Sequence, residues 1–107
     1  MTLQILRNAD ECNLYWSKPT NIESITGYQY RQRIGDENED GTEVDWGDWI
    51  DIINPTETTI GTRTDYSYTV KGLDINVLNY QFQVRQVGGT SSDVTSKHTK
   101  HLSLIHI

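Results

Sequence analysis

The sequence predicts an all-β protein, and three observations carry that prediction. Apolar and polar residues alternate along several segments, as in Tyr66, Tyr68 and Val70, which share one side. This period of two is typical of strands with one buried face. No segment repeats apolar residues at the spacing of a helix, and clusters of Gly, Asn, Asp and Pro separate the alternating segments. We therefore expect antiparallel strands joined by turns.

The composition limits the size of the core and the class of partner. A chain of 107 residues has the length of one domain, with three Trp and six Tyr to fill a thin core. Its net charge of -6 has the wrong sign for a phosphate backbone, so we expect no nucleic acid partner. No apolar run approaches the length of about 20 residues that a membrane helix needs, so we expect no membrane span. The first residues lack the features of a signal peptide, so any secretory signal lies outside this chain.

Two strands of the first half have a clear inward face, in addition to a short first strand. Cys12, Leu14 and Trp16 fall on one face of the clearest early strand, with polar residues between them. Tyr28 and Tyr30 share the inward face of the next strand. Both strands are therefore predicted to contribute one face to a core.

The second half predicts four more strands and one segment, residues 56–62, that is either a strand or a crossover. Residues 49–53 form a short apolar segment closed by Pro55, which predicts an edge strand because proline removes a ladder donor. The Thr-rich residues 56–62 are interpreted as either a strand or an extended crossover. After the alternation ending at Val70, residues 80–86 form the longest predicted strand, and a last strand lies within 94–107.

An ordered set of residues resembles the fibronectin type III module. The set consists of Leu14 and Trp16 before Pro19, the segment Gly27-Tyr28-Gln29-Tyr30-Arg31, the pair Gly72-Leu73, and the segment Tyr80-Gln81-Phe82-Gln83-Val84-Arg85. The resemblance covers about residues 3 to 95 and implies an immunoglobulin-like antiparallel β-sandwich of about seven strands. It implies that residues 1–100 form this domain and leaves 101–107 as a C-terminal tail, either the end of the last strand or not native. The implied core consists of Leu14, Trp16, Tyr28, Tyr30, Tyr68, Val70, Leu73, Tyr80, Phe82 and Val84.

Tyr80 is suited to a tyrosine corner, in which the ring fills the core and the hydroxyl bonds an upstream backbone group. The chain departs from the family in three places. The spacing from Leu73 to Tyr80 is one residue longer than usual, which predicts a bulge or an enlarged corner turn. Gln86 stands where the family prefers a small apolar residue, so its amide must find partners or the strand must end early. The first strand is short, with Leu3 and Ile5 as its only inward candidates.

An acidic loop contains half of a calcium motif. Asp36, Asn38 and Asp40 are alternate oxygen ligands, and Gly41 permits a sharp turn, as at the opening of a calcium loop. The closing position, which should be Glu, is instead Gly47. The first three residues are therefore candidate metal ligands, and the alternative is a solvated loop whose acids discourage edge-to-edge association.

Trp46 and Trp49 are candidate ligand-binding residues. Exposed aromatic rings can stack on sugars or anchor protein interfaces. An aromatic residue in this segment can equally pack over the edge of the sheet. We expect such packing for Trp49 and leave both interpretations open for Trp46.

Nothing in the sequence predicts catalysis. Cys12 is the only cysteine, so no internal disulfide forms, and we expect a buried thiol. His98, His101 and His106 are interpreted as surface residues, because the first two have opposite strand parity and would not share a metal. With all the histidines in this C-terminal segment, no nucleophile has a credible base, and we expect no enzyme.

The resemblance implies a non-catalytic module that acts as a spacer or as a protein-interaction or adhesion domain of a larger extracellular or cell-surface protein. Its expected partners are other domains of the parent chain and an unknown protein or glycan. The competing hypothesis is a calcium- or carbohydrate-binding module that uses the acidic loop 36–48 with Trp46 and Trp49. No cofactor is expected other than a calcium ion at that loop.

Overall fold

The described part of the chain contains eight strands, joined by turns and loops. The structure, a computed structural model, describes residues 2–19, 24–35, 37–88 and 94–98, so the predicted tail 101–107 lies outside it. The strands are β1 (Leu3–Asn8), β2 (Glu11–Ser17), β3 (Ile25–Ile34), β4 (Ile50–Asp51), β5 (Thr56–Ile60), β6 (Arg63–Val70), β7 (Tyr80–Gly88) and β8 (Val94–His98). These residues contain no helix, which confirms the all-β prediction. It follows that no helix in the described ranges is long and apolar enough to span a bilayer.

The strands form two antiparallel sheets. Sheet one has the order β1-β2-β6-β5, and sheet two has the order β4-β3-β7-β8. Leu14 lies opposite Tyr68 in sheet one, and Tyr30 lies opposite Val84 in sheet two. Because these residues all point inward, the two sheets enclose a common core, and the predicted immunoglobulin-like β-sandwich is confirmed.

The strand directions give the sandwich two distinct ends. Lys18 and Ile25 line one pocket, so the end of β2 and the start of β3 lie at the same end of the sandwich. The start of β1 lies there too, since Leu3 pairs with Trp16. We call this the entry end. At the opposite end, which we call the corner end, lie the starts of β2 and β7 and the end of β6. There the Leu73 amide donates to the Asp10 carbonyl at 2.8 Å.

The core lies between the two sheets and is rich in aromatic rings. Its buried apolar residues are Leu3, Cys12, Leu14, Trp16, Tyr28, Tyr30, Ile52, Val70, Leu73, Tyr80, Phe82 and Val84. Of the residues expected in the core, Tyr68 is only partly buried and packs against this group. Trp16, Tyr28 and Tyr66 form a cluster with ring centroids 5.1 to 5.8 Å apart. Burial in this cluster raises the pKa of Tyr28 to about 12.

The two uncertain segments of the second half are both strands. The predicted edge strand at 49–53 is present as β4 but has only two residues, although the Ile52 amide still donates to the Tyr28 carbonyl at 3.0 Å. Residues 56–60 form β5 at the edge of sheet one, so the crossover interpretation of this segment is wrong. All five β5 residues are exposed, which explains why their pattern carries no clear inward face.

The departures from the family pattern have local explanations. The longer spacing between Leu73 and Tyr80 is an enlarged turn, in which the Asp74 carbonyl accepts from the Val77 amide at 3.0 Å. Gln86 is buried, and β7 continues past it to Gly88, so the strand does not end early. The first strand extends from Leu3 to Asn8 and buries Leu3.

Candidate functional site

Three arginines follow one another along the outer face of sheet two. Arg31 and Arg33 are alternate residues of β3, and Arg85 lies on β7, where the register places it opposite Gln29. Side chains two residues apart on a strand point to the same face, at intervals of about 7 Å. The three guanidinium groups therefore form a row on the side of the sheet that faces away from the core.

Trp46 and Trp49 lie against this row. The Trp46 ring centroid is 4.2 Å from Arg33 Cζ and 5.0 Å from Arg31 Cζ. The Trp49 centroid is 4.5 Å from Arg31 Cζ and 4.1 Å from Arg85 Cζ. Since each ring is close to two successive arginines, it lies between them, in the order Arg33, Trp46, Arg31, Trp49, Arg85. We call this set the arginine-tryptophan ladder.

A glycine between the two tryptophans lets their segment approach the sheet. The Gly47 amide donates to the Gln32 carbonyl of β3 at 2.9 Å. A Cβ at Gly47 would lie 3.1 Å from that same oxygen, which is closer than an ordinary van der Waals contact. The segment 44–49 is thus held against β3 by a backbone bond as well as by its two rings.

Glutamines on the same face fix the guanidinium groups in place. The bonds are Arg31 Nε to Gln83 Oε1 at 2.7 Å, Arg33 Nε to Gln81 Oε1 at 2.8 Å, and Arg85 Nε and one terminal nitrogen to Gln29 Oε1 at 2.9 and 2.7 Å. Each pair bridges β3 and β7, the two central strands of sheet two. A planar guanidinium held in this way keeps its face toward a neighbouring ring, the geometry that a cation-π contact requires.

The ladder concentrates positive charge in an acidic protein. Arg33 forms an ion pair with Glu43 at 2.9 Å and donates to the Val44 carbonyl at 2.9 Å. Burial, together with the charges of Arg85 and Arg33, lowers the pKa of Arg31 from its ordinary value. The ring faces offset part of this repulsion, because a cation over an indole face contributes about 0.5–1 kcal/mol at exposed sites and more where water is excluded.

This geometry bears on the predicted ligand-binding role of the two tryptophans. A sugar stacks on an aromatic face that is open to it. The faces of Trp46 and Trp49 lie against Arg31, Arg33 and Arg85. Both tryptophans are half-buried, and both pack over the sheet. Ligand binding by their rings stays a prediction, and it would require an arginine to move.

The acidic loop is closed by its own hydrogen bonds. The Asn38 amide donates to the Thr42 carbonyl at 2.7 Å, and the Gly41 amide donates to the Asn38 carbonyl at 3.0 Å. Asp40 Oδ1 accepts from the Thr42 hydroxyl at 2.6 Å and from the Thr42 amide at 3.0 Å. These bonds, the hydroxyl first, lower the pKa of Asp40.

The candidate calcium site is only partly within the described residues. Asp36 lies outside them, whereas Asn38 and Asp40 are exposed and bonded to Thr42. Among the residues that the structure describes, no three His, Cys, Asp or Glu side chains are grouped so that they could hold a metal ion. A calcium site here stays a prediction that depends on Asp36.

The tyrosine corner is present at the corner end. The Asp74 amide donates to the Tyr80 hydroxyl oxygen at 2.9 Å, so the ring is buried while its polar tip bonds the backbone six residues upstream. Arg7 of β1 reaches the same turn and donates to the carbonyls of Val77 and Asp74 at 2.9 and 3.0 Å. Its guanidinium Cζ lies 5.1 Å from the Tyr80 ring centroid. This corner links sheet one to the start of β7.

Of the remaining reactive residues, Cys12 and His98 belong to described strands in different sheets. Cys12 is fully buried, and this burial raises the pKa of its thiol to about 11. The side chain therefore stays a neutral thiol at neutral pH and packs like a small apolar residue, unlike a nucleophilic cysteine. His98 lies at the end of β8, opposite Gln81 in the register, whereas His101 and His106 lie outside the described residues.

Sequence reasoning found the two tryptophans and missed their arginine partners. Arg31, Arg33 and Arg85 have the opposite strand parity to the inward Tyr28, Tyr30 and Val84, which makes them outward residues but does not show that they share one row. The three arginines could have been predicted to lie together, because all three point to the outer face of two strands and a segment with two tryptophans follows the first of these strands.

Comparisons with protein-family models, with curated proteins and with solved structures found no match to this chain.

Proposed function

We propose that this chain is a non-catalytic module of the fibronectin type III kind that acts as a spacer or protein-interaction domain within a larger extracellular or cell-surface protein. The observation that supports this proposal most directly is the direction of its first and last described strands. The ladder and the tyrosine corner add to it, because both stabilise the sandwich without assembling reactive groups.

The two strands leave opposite ends of the sandwich. β1 starts at the entry end, beside Trp16 and Ser17, and β3 starts at the same end with Ile25. β8 runs parallel to β3, because both are antiparallel to β7, which lies between them. β8 therefore ends at the corner end, where His98 pairs with Gln81 next to Tyr80. Segments joined to the two strands would depart in opposite directions, which is the arrangement that separates neighbouring domains in a chain.

The family assignment is supported by residues that have matching structural roles. Tyr80 makes the corner bond, Trp16 and Leu14 are inward on β2, and Tyr28 and Tyr30 are inward on β3. Its expected partners are other domains of the parent chain and a protein or glycan ligand, in keeping with modules of this kind that serve in adhesion.

The spacer role is tested by joining two copies head to tail and measuring their longest dimension by small-angle X-ray scattering. Because the ten-residue strand β3 spans about 33 Å, we expect the tandem protein to exceed the single chain by about 30 Å or more. A tandem protein that gains less than half of this length, as two copies packed side by side would, contradicts the proposal. A single copy at twice the concentration is the control for association.

A further inference from the structure

An open cleft lies on the outer face of sheet one at the entry end. Its volume is about 670 Å³, and its lining includes two cross-strand pairs, Gln4 with Tyr15 and Ser17 with Asp65. All four side chains point away from the core, because the alternate residues of β2 are buried. Arg63 also lines the cleft.

Tyr15 supplies an aromatic surface in this cleft. The residue is 40% exposed, and its ring has no stacked aromatic or cationic partner among the described side chains. It thus differs from Trp46 and Trp49, whose faces lie against arginines. An exposed tyrosine offers an apolar face with a polar tip, a combination suited to ligands that are themselves amphipathic.

Polar groups beside the ring are held in fixed positions. Asp65 accepts from the Ser17 hydroxyl at 2.6 Å and from Arg63 Nε at 2.9 Å, and both bonds end on Oδ1. These bonds hold the pKa of Asp65 below its usual range, so it is ionised at neutral pH. Its second oxygen, Oδ2, accepts no hydrogen bond from the residues that the structure describes, so it is available to accept one from a ligand hydroxyl. Arg63, with a side chain 72% exposed, has terminal nitrogens to donate.

We infer that this cleft binds a neutral saccharide, with one sugar ring stacked on Tyr15 and hydroxyl groups of the saccharide bonded by Asp65 and Arg63 on one side of the ring and by Gln4 on the other. A sugar ring has an apolar C–H face and a rim of hydroxyls, which match the tyrosine face and the planar polar groups around it. The cleft is lined by the cations Arg63 and Lys18 together with the anion Asp65. Because the chain as a whole carries a net charge of -6, its overall field disfavours a polyanionic glycan. This inference does not depend on the proposed spacer role.

The test is native affinity electrophoresis of the single chain in gels that contain a soluble xylan, a β-glucan or a galactomannan, with alginate as the polyanionic comparison. We expect at least one neutral polysaccharide to retard the protein and alginate not to do so. Loss of the stacking surface in Tyr15→Ala should weaken binding about tenfold, whereas Tyr15→Phe, which keeps the ring, should bind within about twofold of the parent.

Two controls keep the result specific. Leu6→Ala changes an exposed residue on the same face of the neighbouring strand and should leave retardation unchanged. Urea unfolding of each variant shows whether it is folded. If Tyr15→Ala is not folded, Gln4→Ala carries the test, because it removes a polar contact of the cleft at an exposed residue of β1 and should weaken retardation severalfold. Retardation by no neutral polysaccharide, retardation by alginate alone, or binding lost on Trp46→Ala but kept in Tyr15→Ala would each overturn the inference.

Discussion

The outer faces of the two sheets hold their side chains in different ways. On sheet two, the arginine-tryptophan ladder crosses two strands and fastens the segment 44–49 above them. On sheet one, outward residues form separate cross-strand pairs, such as Ser17 with Asp65 and Thr69 with Asn13, and Leu6 and Tyr15 remain exposed. The difference shows that outward positions of a strand can organise a connecting segment when planar cations and rings alternate along them.

The largest expected effect is the loss of the central arginine. Arg31→Ala removes two ring contacts and the bond to Gln83, so we expect the free energy of unfolding to fall by about 2 kcal/mol. Arg31→Met, which keeps the apolar stem, should lose about half as much. Denaturant unfolding measures both.

The matched control is Arg63→Ala on sheet one, whose side chain is 72% exposed and forms one exposed ion pair. We expect it to change stability by less than about 0.5 kcal/mol. Equal losses at Arg31 and Arg63 would remove the distinction between the two faces.

A second comparison sets a buried tyrosine of the corner end, Tyr80, against an exposed tyrosine on the outer face of sheet one, Tyr15. Tyr80→Phe removes the acceptor of the Asp74 amide while keeping the ring, so we expect a loss of about 1 kcal/mol. Tyr15→Phe, at an exposed position of sheet one, should leave stability unchanged within about 0.5 kcal/mol. An unchanged denaturation midpoint for Tyr80→Phe would show that the corner bond contributes nothing to stability.

The pH dependence of stability tests the burial of Cys12 on the inner side of sheet one. The Cys12 thiol has a pKa of about 11 in the folded protein, above that of an exposed cysteine at about 8.5. Because the unfolded chain ionises first, stability should be fully present below about pH 8.5 and fall as the pH rises toward 11. The Cys12→Ala variant should lack this component, and parallel pH curves for the two proteins would contradict buried-thiol ionisation.

The smallest expected change compares two hairpins of sheet one. Ala9 between β1 and β2 has a φ of 53°, and Gly61 between β5 and β6 has a φ of 61°. Since this region favours glycine, Ala9→Gly should stabilise by about 0.5 kcal/mol and Gly61→Ala should destabilise by a similar or slightly larger amount. No heavy atom lies within 4 Å of a Cβ built at Gly61, so its cost is conformational. Shifts of the same sign in both variants would refute this explanation.

The period of two along the strands predicted the all-β class, because inward residues recur with that period on nearly every long strand. The sandwich and the corner bond of Tyr80 were implied by the resemblance to the fibronectin type III module, although the spacing from Leu73 to Tyr80 is one residue longer than usual there. The two-residue β4 and the exposed β5 were harder to predict, since neither alternates cleanly between buried and exposed residues. The ladder was not predicted, because it depends on a register that brings Arg85 beside Gln29, and register is a property of strand pairing and not of one segment.

The opposed ends of β1 and β8 have a mechanical consequence. A pull applied through segments joined to Leu3 and His98 would act along the strand axes. The backbone bonds that join β1 to β2 and β8 to β7 would then be loaded together in shear and would not open one at a time from an end. Such a pull would therefore be resisted by six residue pairs in one ladder and five in the other.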